Sequence, residues 1–76
     1  MSWLEELAAA LDVAPLTNTE QRAVLRLARE VAHRTERVNA PLAAYLAGRF
    51  AAAADRPEPA EEALRRAEEI LPPAAT

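Results

Sequence analysis

The stretch TNTEQRAVLRLAREVAHRTERV, residues 17–38, decides the fold. Thr17 and Glu20 stand at capping-box spacing: the hydroxyl accepts from the third helical amide while the carboxylate reaches back to the cap's own N–H. Behind them Val24, Ala28, Val31, Thr35 and Val38 step by four and three residues, flanked by Leu25, Leu27 and Ala32. That is the period of one helix face. The spacing predicts a helix over 19–37, the longest of the chain. On a wheel of about 100° per residue, Arg22, Arg26, Arg29, His33 and Arg37 share an arc of about 80° opposite the valine seam. One segment therefore carries an apolar seam and a basic stripe on opposite sides.

The same signals recur on either side. Upstream, Ser2 and Glu5 repeat the capping-box spacing, and Trp3, Leu4, Leu7, Ala8 and Leu11 form one apolar stripe. A helix is expected over 2–12, ended near Ala14-Pro15 because a residue before proline avoids the helical region. Downstream, Asn39-Ala40-Pro41 marks the next start, with Pro41 in the first turn where it has no intrahelical N–H bond to lose. This helix is expected over 41–54. Gly48 lies inside it at a cost of about 0.8–1 kcal/mol relative to alanine, a choice that implies close approach by another backbone. Asp55-Arg56-Pro57-Glu58-Pro59 is a proline-punctuated connector. The last helix, 59–71, opens on Pro59 with Glu61 and Glu62 at the positive end of its dipole and buries Ala60, Ala63, Leu64, Ala67, Ile70 and Leu71. Pro72-Pro73 stops it, leaving 72–76 as a loose tail. The expectation is all-α: one compact, four-helix bundle-like domain over residues 1–76.

Composition bounds what such a domain can do. Of 76 residues, 20 are alanine and only 19 are larger apolar residues, so the core is thin. The absence of cysteine removes disulfides and thiolate metal sites. No apolar run approaches the ~18 residues of a membrane span, and no leader is legible, so a cytoplasmic protein with no membrane contact is expected. Nine arginines against twelve acids give net charge −3, which disfavours a nucleic-acid backbone as partner.

Few residues invite chemistry. Guanidinium groups bind carboxylates and phosphates in bidentate fashion, so the stripe of Arg22, Arg26, Arg29, His33 and Arg37, with Glu36 beside it, suits an acidic partner. Glu58, Glu61, Glu62, Glu68 and Glu69 outnumber Arg65 and Arg66 near the last helix, so helices 2 and 4 can pair by charge. Arg49 shares a stripe with Leu42, Leu46 and Ala53, with Tyr45 on its flank. Its stem is expected over the core, with its head in water, on a glutamate, or on a partner at the mouth of the bundle. His33 is the only histidine, set among cations that repel a metal ion. No nucleophile–base arrangement is visible, so neither catalysis nor a cofactor is expected.

The blocks Leu27-Ala28-Arg29-Glu30-Val31-Ala32-His33, Glu36-Arg37, Ala40-Pro41-Leu42 and Leu46-Ala47-Gly48 carry a family resemblance. Over residues 24–50 the chain resembles small helical domains of unknown function from high-GC bacteria, found alone or joined to nucleotidyltransferases similar to those that attach guanylate to molybdopterin. The resemblance implies an accessory role near molybdenum-cofactor assembly and points to Arg29, His33, Glu36, Arg37 and Pro41. Ala43-Ala44-Tyr45 departs from the family pattern, where a threonine-containing segment is expected.

Three functions compete on these observations. The first is a non-catalytic interaction module that docks on a protein partner, such as a nucleotidyltransferase-like enzyme. The second is a self-associating homodimer, because a core this thin leaves little surplus over chain entropy. The third is a nucleic-acid binder in which helices 2 and 3 imitate a helix-turn-helix.

Overall fold

The computed structural model describes residues 2–53, 55 and 57–74. Four helices follow in order: α1 (Trp3–Ala10), α2 (Asn18–Arg34), α3 (Asn39–Ala53) and α4 (Pro59–Ile70). The all-α bundle class expected from the sequence holds. Ala54, the expected last residue of the third helix, lies outside the described residues, as do Met1, Arg56, Ala75 and Thr76.

Both capping boxes form. The Ser2 N–H donates to Glu5 Oε1 at 3.1 Å, and the Glu5 N–H to Ser2 Oγ at 3.3 Å. The Thr17 pair is tighter, with the Thr17 N–H donating to Glu20 Oε1 at 2.8 Å and the Glu20 N–H to Thr17 Oγ1 at 3.1 Å. The first helix stops earlier than expected. Asp12 takes φ 57°, the Asp12 N–H donates to the Ala9 carbonyl at 3.1 Å, and the Val13 N–H donates to the Ala8 carbonyl at 3.0 Å. These bonds form a left-handed C-terminal cap that closes α1 before Pro15 acts. Helix α2 also ends short, at Arg34 rather than Arg37, where the Thr35 hydroxyl turns back to the Val31 carbonyl at 2.7 Å. A side chain that bonds its own preceding turn competes with helix propagation.

Helices α2, α3 and α4 pack on one another around Leu27, Val31, Ala47 and Leu64, with Ala43, Ala63, Ala67 and Leu71 half-buried against them. Four of these eight positions are alanine, which leaves the core thin. Leu27, 3% exposed, is its most enclosed member. The buried face of α2 is therefore Ala23, Leu27 and Val31, turned from the expected seam by about 60°. Val24 and Ala28 are half-buried flanks, while Leu25 and Val38 are 68% and 61% exposed. The reason is that α2 sits between two neighbours, so its inward face follows the bisector between α3 and α4 rather than the valines.

Helices α3 and α4 show similar corrections. Ala47 and its half-buried neighbours Ala43, Ala44, Phe50 and Ala51 face inward on α3. Leu42, Leu46 and Arg49 face out, and Gly48 is exposed with nothing within 4 Å of where a Cβ would stand. No backbone approaches that glycine. On α4, Leu64 is buried as expected, but Ile70 is exposed. The start of the tail is held rather than loose: Arg34 Nε donates to the Pro72 carbonyl at 2.7 Å and its second terminal nitrogen reaches the Leu71 carbonyl at 3.4 Å.

Helix α1 stands apart from this trio. No Cα of α1 comes within 8 Å of one in α2, α3 or α4. Its stripe is covered only in part, by its own connector: Ala8 is buried and Leu7 partly shielded where Val13, Ala14, Pro15 and Leu16 fold beside them. The consequence shows in the whole molecule. The radius of gyration is 13.0 Å, against about 11 Å for a globule of this length. The accessible surface is 5975 Å², against about 4,600 Å² for a folded monomer of this mass.

Candidate interaction faces

The basic stripe is real but shorter than expected. Arg22, Arg26, Arg29 and His33 are all solvent-exposed on the outer face of α2. Arg37 and Glu36 are exposed too, but in the α2–α3 connector rather than on the helix. The Glu36 carbonyl accepts the Asn39 N–H at 2.9 Å and the Arg37 carbonyl accepts the Ala40 N–H at 3.1 Å, which fixes the turn into α3. Arg26 pairs across to Glu68 of α4 at 3.4 Å, the charge pairing expected between helices 2 and 4. Both groups are well exposed, so this bond contributes at most about 0.5 kcal/mol. No carboxylate among the described residues pairs with Arg22, Arg29, His33 or Arg37. In a chain of net charge −3, the three arginines among them form a local concentration of uncompensated cations.

Tyr45 and Arg49 lie on the outer face of α3, one turn apart. The Arg49 guanidinium sits 5.4 Å from the centre of the Tyr45 ring, so the arginine finds an aromatic face instead of the expected glutamate. Among the described residues no hydrogen bond, ion pair or ring contact connects this pair with the α2 stripe. The expected partner-binding residues thus fall on two outer faces, not one.

Sequence reasoning missed a second feature, an apolar groove where α2, α3 and α4 meet. Its volume is about 370 Å³, its walls include Leu27, Val31, Ala43, Leu46, Ala67 and Ile70, and it is open along one side. One end is closed by a polar relay in which Asn39 Nδ2 donates to Thr35 Oγ1 at 3.2 Å and that hydroxyl donates to the Val31 carbonyl. Arg66 lies over the Phe50 ring at 5.5 Å and is held by Glu62 at 3.1 Å, placing a guanidinium on the groove wall. Arg34 was also overlooked. It pairs with Glu30 at 3.2 Å and ties the end of α4 to α2, and its place seven residues after Leu27, on the inward side, was the available sign.

Among the described residues, no group of three or more His, Asp or Glu side chains could hold a metal ion, and no helix is long and apolar enough to cross a membrane. No curated protein and no solved structure is detectably similar to the chain. A family model does match, and it extends the similarity well beyond the 24–50 block to both terminal helices: over residues 1–75 the chain belongs to the family described as Domain of unknown function (DUF6457).

Proposed function

We propose that the chain is a non-catalytic helical interaction module that docks on an acidic protein surface through the outer face of α2. The observation that carries it is the set Arg22, Arg29, His33 and Arg37, exposed together and without carboxylate partners among the described residues. Uncompensated guanidiniums raise the association rate with an acidic surface and form bidentate bonds there. Glu36 and the Tyr45–Arg49 pair widen the polar surface around it. The resemblance of the Leu27–His33 and Ala40–Leu42 blocks supports a nucleotidyltransferase of molybdenum-cofactor assembly as that partner, with the chain as its accessory.

Affinity capture with wild type and with an Arg29→Ala/His33→Ala/Arg37→Ala variant tests this. A nucleotidyltransferase recovered by the wild type and lost by the variant supports the proposal. Identical recovery with both baits makes the stripe a solvated face and refutes it.

A further inference from the structure

From a different surface, and independently of the basic stripe, we infer that the chain forms a symmetric dimer in which α1 of each copy lies in the α2–α3–α4 groove of the other. Both halves of a helix-in-groove contact are on this one polypeptide, and they do not meet within it. The open part of α1 is Trp3, Leu4, Leu7 and Leu11, which share an arc of about 100°. Trp3 is 69% exposed. The groove offers apolar walls with Leu46 and Ile70 standing exposed at its edge.

Charge is compatible with the same pairing. Helix α1 carries Glu5 and Glu6, and residues 2–21 contain no basic side chain. The groove wall carries Arg66, held by Glu62, and Arg34, held by Glu30, stands at the α4 end. An acidic amphipathic helix therefore meets a rim of ion-paired arginines.

Area and reach complete the case. The surface exceeds that of a compact monomer by about 1,400 Å², more than the ~800 Å² that each partner contributes to a standard interface. Docking α1 into its own groove is disfavoured by geometry. The groove begins at Leu27, about 14 Å down α2 from Asn18 and extends to Thr35, about 26 Å down. Residues 11–17 are long enough to cover the 14 Å to its near end, but the connector as folded, with its Asp12 and Val13 cap bonds, would have to rearrange to carry α1 there. A second copy supplies α1 without that loss, and a reciprocal exchange closes with two-fold symmetry.

Trp3, the only tryptophan, reports on the contact directly. Sedimentation velocity and tryptophan emission are measured together on the full chain over a concentration series. The expected result is a rise from 8.3 kDa toward twice that mass, with the emission shifting to the blue in parallel. Trp3→Ala and Ile70→Glu, both at exposed positions, each weaken the dimer at least about tenfold while circular dichroism stays helical. An 8.3 kDa species at every concentration overturns the inference, whether its tryptophan is exposed or already buried by the chain's own groove or a small ligand. A dimer indifferent to both substitutions overturns it too. The Arg29→Ala/His33→Ala/Arg37→Ala variant dimerises normally, so loss of the dimer and loss of the heterologous partner are separable.

Discussion

Replacing Leu27 by alanine, and Leu25 by alanine separately, tests which face of α2 looks inward. Leu27 is 3% exposed and sits in the cluster with Val31, Ala47 and Leu64, whereas Leu25 is 68% exposed. Truncating Leu27 removes three buried carbon groups at roughly 0.8 kcal/mol each, about 2.4 kcal/mol. The added cavity penalty is small, because the site borders an open groove instead of a sealed interior. With a urea slope near 1 kcal/mol/M for a chain of this size, the unfolding midpoint falls by about 2–3 M. A single core in so small a domain supplies only roughly 3–5 kcal/mol, so the variant keeps about 0.6–2.6 kcal/mol in plain buffer. Leu25→Ala moves the midpoint by less than about 0.5 M. The assay is helical circular dichroism in urea, at a concentration where the mass is that of one chain, since association would add stability. Equal shifts for the two variants, or a larger one for Leu25, would refute the packing described for α2.

Three further predictions follow from local geometry. Gly48→Ala stabilises by about 0.8–1 kcal/mol and Gly48→Leu is tolerated, because open space surrounds that position; thermal melts rank both against the wild type, and a large loss for Gly48→Leu would refute the open placement. Arg34→Met keeps the aliphatic stem but leaves the Leu71 and Pro72 carbonyls without their donor, costing about 1 kcal/mol, and amide exchange of the last turn of α4 quickens if that tie matters. Asp12→Gly relieves a left-handed backbone at φ 57° and strengthens the α1 cap by up to about 1 kcal/mol, while Asp12→Val weakens it. Because α1 lies apart from the trio, the change is read in amide protection of residues 3–10 in the monomer; unchanged protection in both variants would show that the cap does not limit α1.

Local chemistry made the helices legible in sequence. Ser2–Glu5 and Thr17–Glu20 announced two starts, and Pro41 and Pro59 fell in first turns as their fixed φ and missing N–H require. The outward basic row was legible for the same reason: Arg22, Arg26, Arg29 and His33 are spaced by the helix's own period. Helix ends were less legible. Asp12 in a left-handed cap and Thr35 bonding Val31 are choices between nearly equal local conformations, decided by a few hydrogen bonds.

What the amino-acid order by itself determined is the four helices, the acidic starts of three of them, and a surface row of basic residues, because each depends on residues within about four positions of one another. Only the tertiary structure decided which side of each helix lies inward, that Leu25, Leu42, Leu46 and Ile70 stay in solvent, that α1 packs on no other helix, and that an apolar groove is left open. The physical reason is the alanine content. A wheel on which alanines stand between the larger apolar residues, seven of fifteen positions in α3 and three of seventeen in α2, offers more than one face that can turn inward, so the choice among them falls to the shape of neighbouring helices.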